Sequence, residues 1–128
     1  MTIEAIHLRD RRHAIVVLTG TPEPGCGRTL GQSLQVSARA HTIVDLRQVE
    51  GITPEAIKPL LSALGQAIDR GRTLRVVVRS DRQRRFLEAL GLKGMIPMHD
   101  SIADAVSAAD YAIAEAAQSR LTRVGTHH

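Results

Sequence analysis

The densest positive charge in the chain is the group Arg79, Arg82, Arg84 and Arg85, in the stretch RSDRQRRF. Ser80 and Asp81 can open a helix there, so Arg82 and Arg85, three residues apart, share one side. Guanidinium groups clustered in this way grip phosphate oxygens or the carboxylates of an acidic protein surface. One reading is therefore an anion site in an arginine-rich module for nucleotide or nucleic acid. Phe86 and Tyr111 are the only aromatics, so the stacking platforms of single-strand binders are missing. No helix-turn-helix or zinc-finger spacing occurs either. A solvated face that touches protein is the competing reading. A continuous basic stripe would favour the first, and a mixed, flat surface the second.

Other chemistry finds less support. The six histidines, His7, His13, His41, His99, His127 and His128, are scattered, and only the terminal pair is closely spaced. No metal site is expected. Cys26 stands alone, which excludes an intrachain disulfide and a multi-cysteine metal site. A Cys–His nucleophile would need a third, orienting group that no spacing supplies. Asp45 and Glu50 lie near the carboxyl end of a strand, where open parallel sheets bind ligands. Glycosidase-like or two-metal chemistry would need more converging acids. Asp45 reads as a strand-end residue bonded to the following loop. The glycine-rich stretch GTPEPGCG lacks the lysine–hydroxyl ending and glycine spacing of a phosphate loop. We expect no catalytic residue, no cofactor and no enzyme.

The chain of 128 residues fits one domain with a core that needs no metal or disulfide. Hydrophobic residues make up 43% of it, which argues against disorder. The net charge of +4 comes almost wholly from arginine, Lys58 and Lys93 being the only lysines. It permits an anionic partner, although arginine-biased codon usage gives the same excess. No basic-then-apolar leader and no membrane-length apolar run is found. The expectation is a soluble, cytoplasmic protein without membrane contact.

The elements that must position these groups are organised around residues 42–70. Ile43, Val44 and Leu46 form a buried strand with Asp45 inside it. After a polar loop, Thr53 is placed to cap a helix and Pro54 to occupy its first position, where a missing N–H is harmless. Ile57, Leu60, Leu61, Leu64, Ala67 and Ile68 make one apolar stripe, and Gly71 a stop. Before this unit lie strands at 3–8 and 14–19, separated by a turn at Arg9–His13, and a helix at about 27–39 on Leu30 and Leu34. Gly31 and Val36 weaken that helix. After it come a strand at Thr73–Arg79 and a helix capped by Ser80, with Phe86, Leu87 and Leu90 inward and Gly91 ending it. A short strand at Met95–Met98 follows, confined to an edge by Pro97. The last helix is capped by Ser101, with Ile102, Val106, Ala109, Ile113 and Ala116/Ala117 toward the core. The domain should span 1–118, with a flexible tail over 119–128. The order ββαβαβαβα implies a mixed, mostly parallel α/β sheet of about five strands and four helices with right-handed crossovers.

Over roughly residues 5–107 the sequence resembles the STAS domain of bacterial anti-sigma factor antagonists. The resemblance rests on VVLTG with Glu23 three positions beyond, on VDLRQVEGITPEAI, and on the strand before the arginine-rich turn. It rests most on RRFLEALGLKGMIPMHDSIADAV, where LEALGL at 87–92 and MHDSIADAV at 98–106 match the family register. The resemblance implies a protein-interaction domain whose partner is an anti-sigma factor of kinase-like ATPase fold, and whose output is release of a sigma factor. It leaves a homodimer open. The implied partner face comprises Glu23, Val49, Glu50, Gly51, Thr53, Glu55, Ala56, Lys58 and Ser62.

Family members carry an Asp–Ser–Ser/Thr–Gly–Leu-like run in this loop, and its second hydroxyl is phosphorylated. Aligned without gaps, Thr53 falls on the aspartate, Pro54 on the first serine, Glu55 on the phosphoacceptor, Ala56 on the glycine and Ile57 on the leucine. A first-turn carboxylate is favoured by the positive end of a helix and carries roughly half the charge of a phosphoserine. Glu55 is then either a permanent phosphate mimic or an ordinary first-turn residue. A constitutive antagonist or a switchless scaffold is expected. Thr53, committed to capping, is a poor acceptor.

Overall fold

The computed structural model of the chain describes residues 1–7, 12–37 and 41–125. The elements run β1 (Thr2–His7), β2 (His13–Gly20), α1 (Cys26–Ser37), β3 (His41–Val49), α2 (Pro54–Asp69), β4 (Leu74–Val77), α3 (Asp81–Leu87), β5 (Met98–His99) and α4 (Ile102–Gly125), with one π turn (Glu88–Leu92) after α3. The strands form one sheet in the order β1-β2-β3-β4-β5. β1 is antiparallel to β2, and the other neighbours are parallel. This is the expected mixed, mostly parallel architecture. Most of the turn expected at Arg9–His13, and the end of the helix expected at 27–39, fall outside the described residues.

The β-branched runs AIVVL and TIVDL occupy the sheet centre and are buried on both faces, as parallel strands between helical layers must be. On one face Val16, Leu18, Val44, Leu46 and Val76 pack with Leu30 and Leu34 of α1, Ile57 and Leu60 of α2, and Leu87. On the other, Ile15, Ile43 and Val77 meet Ala105 of α4. His13 is fully buried, and its Nε2 lies 3.1 Å from Asp110 Oδ1, tying the start of β2 to α4.

Four expectations are corrected. Ile68 is exposed, because the inward face of α2 is carried by Ile57, Leu60, Ala63 and Ala67, leaving Ile68 beyond its edge. Phe86 is 48% exposed, because Gln83 and Leu87, one turn apart, take the inward positions of α3. The edge strand is Met98–His99 rather than Met95–Met98, since Pro97 lacks an N–H and pairing starts beyond it. α4 continues past Ser119 to Gly125, with no glycine or proline to stop it sooner, and Ala116 and Ala117 stand exposed on it.

Candidate interaction face

Parallel pairing brings the carboxyl ends of β3 and β4 to one edge of the sheet, beside the start of α2. The β3 ladder is irregular there. Val17 pairs with Asp45, but Thr19 pairs with Gln48, so β3 carries one extra residue. The bulge turns Val49 inward and leaves Gln48 exposed. Glu50 N–H then donates to Gly20 O (3.0 Å), and Gly51 turns the chain at φ 66°, a conformation suited to glycine. Ile52 plugs the loop into the core. Thr53 is extended, and its Oγ1 accepts Ala56 N–H at 3.4 Å, with Pro54 at the first helical position. The hydroxyl is thereby occupied as a cap.

Glu55 stands exposed in that first turn and reaches across to the loop before α1, its Oε1 accepting Gly25 N–H at 2.9 Å. The two helices meet closely here. A Cβ built on Gly27 would lie 3.1 Å from Glu55 O and 3.3 Å from Glu55 Cγ. One turn on, Gly31 faces Pro59, whose ring sits inside α2 and denies Glu55 O its helical donor. A Cβ at Gly31 would make only an ordinary 3.9 Å contact with Pro59 Cβ, so the tight approach is confined to Gly27. Between the helices runs a groove of about 370 Å³, onto which Glu55, Lys58 and Ser62 open together with Arg28, Gln35 and Gln66. Sequence reading missed the last three. The signal for Gln35 is its place in the four-residue series Gly27, Gly31, Gln35, and for Gln66 the same spacing from Ser62.

The remaining expected face residues divide. Glu50 and Gly51 are exposed and Thr53 half-buried, all on the loop. Val49 and Ala56 are buried, so they hold the face in place and do not present side chains to a partner. Glu23 accepts the Met1 ammonium at 2.7 Å, and that bond and charge hold its carboxyl below the usual range. It lies apart from the groove.

The arginines divide as well. Arg84 pairs with Asp100 at 2.7 Å, whereas Arg79, Arg82 and Arg85 line a second cavity on the other flank of the loop. Behind them is a residue the sequence did not single out. Gln83 is buried, its Oε1 accepting Arg79 N–H (2.7 Å) and its Nε2 donating to Leu46 O (2.8 Å) and Val49 O (3.5 Å). It fastens α3 to the end of β3. A glutamine among arginines reads as surface, and only the three-residue interval from the Ser80 cap could have placed it inward.

Asp45 is buried within β3 and does not bond the following loop. Burial alone would raise its carboxyl, but Arg47 N–H (3.0 Å), Nε (3.0 Å) and a second guanidinium nitrogen (2.9 Å) outweigh this and hold it below the usual range. A carboxylate so paired is no general base. His41 accepts Thr73 N–H on Nδ1 at 3.1 Å; burial first, then the charges of Arg72 and His13, keep it below its ordinary value. Cys26 is a free, half-buried thiol and the first residue of α1, not part of the loop. Among the described residues no three acids, histidines or cysteines converge on a metal site, and no helix is long and apolar enough to cross a membrane.

Neither protein-family models nor curated proteins give a match to the sequence. Solved structures do. A candidate anti-sigma factor antagonist of Thermotoga maritima superposes with a TM-score of 0.71 at 14% identity, over 84% of this chain and 94% of that one. An anti-sigma factor antagonist of Mycobacterium paratuberculosis gives 0.66 at 21%, over 85% and 95%. The Bacillus cell fate determinant SpoIIAA in its phosphorylated form gives 0.63 at 9%, over 83% and 97%. The chain has the STAS fold of the anti-sigma factor antagonists.

Proposed function

We propose that this domain is a non-enzymatic regulator of sigma-factor activity that binds an anti-sigma factor of kinase-like ATPase fold, without a phosphorylation switch. The observation that carries the reading is the tie between Glu55 and Gly25. At the position that aligns with the phosphoacceptor, a carboxylate already bridges the start of α2 to the loop before α1. The bridge is a permanent feature of the sequence, where a phosphate would be added and removed. The surroundings suit a protein contact: Glu55, Lys58 and Arg28 mix both signs along a shallow groove flanked by polar Ser62 and Gln66. The binding face is the Glu50–Thr53 loop, the first turn of α2 and the groove with Lys58 and Ser62.

The test uses the full chain as wild type and Glu55→Ser, immobilised and exposed to lysate of the source organism with and without ATP. Captured proteins are identified by mass spectrometry, and the bait by intact mass. The reading expects a kinase-like anti-sigma factor on both, held at least several-fold more strongly by Glu55→Ser, with one added phosphate on that variant alone in ATP. Failure of both forms to capture such a protein refutes it.

A further inference from the structure

Independently of the partner reading, we infer that the cavity between the β3–α2 loop and α3 receives the outer face of α4 from a second copy of the chain, so that copies join head to tail. Phe86 and Tyr111 are the only aromatics. Both stand outside the aliphatic core, 48% and 70% exposed. Aromatic residues and arginine are enriched in protein interfaces, and tyrosine and arginine among the residues that dominate their energetics. The two rings lie in surroundings of opposite charge.

Phe86 borders a cavity of about 540 Å³ with Val49 and Ile52 as its apolar floor and Arg79, Arg82 and Arg85 around it. No carboxylate lines it, and among the described residues no ion pair joins these arginines to one. Arg79 and Arg85 donate to backbone carbonyls, Arg47 O at 3.3 Å and Asp81 O at 3.4 Å, which aims their guanidinium groups without neutralising them. Tyr111 belongs to the other sign. From Ile102 to Gln118, α4 holds Asp104, Asp110 and Glu115 and no lysine or arginine. Asp104, Ser107, Tyr111 and Glu115 follow at intervals of three and four, so they make one stripe, and all four are exposed. Ala105 and Ala109, on the opposite side of the helix, are fully buried. Asp110 is paired with His13, but among the described residues no ion pair engages Asp104 or Glu115. These two carboxylates flank the ring at about 11 and 6 Å along the helix axis. A ring between carboxylates complements a ring between guanidinium groups: the rings can pair edge to face while the charges join at the rim.

The sheet keeps the two patches apart within one chain. α3 packs on the side of α1 and α2 through Leu87, and α4 on the other side through Ala105. Each copy therefore offers one cationic socket and one acidic stripe. Contact between them is heterologous, repeating from copy to copy and not closing on a two-fold axis. Symmetric pairing of α3 with α3, or of α4 with α4, would bring like charges together and is disfavoured.

Sedimentation equilibrium of the full chain tests this over about 10 μM to 1 mM protein, which brackets micromolar dissociation constants. At about 0.01 M salt, where the Debye length is about 30 Å, the mean mass should rise past that of a dimer. At about 1 M salt, where it is about 3 Å, association should weaken at least tenfold. Arg82→Glu/Arg85→Glu and Asp104→Lys/Glu115→Lys should each weaken it by about a hundredfold or more, since like charges then meet. Tyr111→Ala should weaken it about tenfold. Lys93→Glu, a reversal at an exposed position outside both patches, should change nothing. An equimolar mixture of the two double variants should associate again, because the acidic stripe of one meets the intact arginines of the other. The substituted side chains are exposed, and circular dichroism verifies that each variant folds. A wild type that stays monomeric at the highest concentration leaves the socket to a different partner and overturns the inference. So does a dimer abolished by only one of the double variants, which would be a symmetric pairing of like faces, and so does a mixture no more associated than its components.

Discussion

Two glycines one turn apart in α1 should respond oppositely to the same substitution. Gly31→Ala adds a methyl whose nearest neighbour, Pro59 Cβ, is 3.9 Å away, an ordinary contact. The backbone entropy that glycine loses in a helix is then recovered, worth about 0.5–1 kcal/mol of stability. Gly27→Ala adds the same methyl 3.1 Å from Glu55 O and 3.3 Å from Glu55 Cγ. The first neighbour is backbone in the opening turn of α2 and cannot rotate away. Overpacking of this kind costs about 1–3 kcal/mol. Gly27 is the second residue of α1, where alanine's propensity advantage is small. The net expectation is a loss of about 1–2 kcal/mol. For a chain this size each kcal/mol moves Tm by about 3–5 °C, so the two variants should differ by roughly 5–15 °C. Urea unfolding followed by circular dichroism measures the difference as a change in midpoint at constant slope. Glu55→Ala in the Gly27→Ala background removes the Cγ contact but not the carbonyl, so it should restore only part of the loss. If Gly27→Ala is as stable as Gly31→Ala, the close approach of the two helices at Glu55 is wrong, and with it the proposed bridge between their first turns.

Gln83→Leu keeps the volume but strands Leu46 O and Arg79 N–H, and should cost about 1–3 kcal/mol in urea unfolding; a change under about 0.5 kcal/mol would refute the role of Gln83 as the tie of α3. His41 and His99 are both held below the 6.5 of an ordinary imidazole, in each case first by burial. Below pH 6.5 the unfolded chain therefore binds protons that the fold does not, so stability is complete above pH 6.5 and falls as pH drops toward the lowered folded values. Urea midpoints of wild type should decline over that window and those of His41→Gln/His99→Gln should stay flat, equal slopes in the two being the refuting result.

Element order and sheet class were legible because strand and helix periods differ and the punctuation is strong: the Thr53-Pro54 start, the Ser80 and Ser101 caps, and Gly71 at φ 68°. What failed were assignments of a face. Phe86 was read as core on hydrophobicity, while a glutamine holds the inward position three residues before it, because two backbone carbonyls at the end of β3 need a donor there. Ile68 failed because Ala63 and Ala67 take the inward positions at that end of α2 and leave it exposed. Of the groove lining, Lys58 and Ser62 were legible by helix spacing and Glu55 through the resemblance. The contribution of α1 was not, since Gly27 matters through what it leaves out.

The β3–α2 loop also shows why the two cavities beside it are chemically distinct. β2 through β5 are parallel and consecutive, so all their carboxyl ends and following loops share one edge of the sheet. Extra space at that edge can arise only where neighbouring elements diverge, and they diverge on either side of Gly51. On one side α1 and α2 meet through glycines, so the groove between them is lined by the polar outer rows of both helices and carries mixed charge. On the other, α3 starts directly from the end of β4, and its arginines line a cavity together with Val49, which the bulge in β3 turned inward, and Ile52 of the loop. Gln83 secures the helix from within, so the arginine row stays exposed and hydrated. The mixed charge of the groove between α1 and α2 is the physical reason to look for a protein at Glu55.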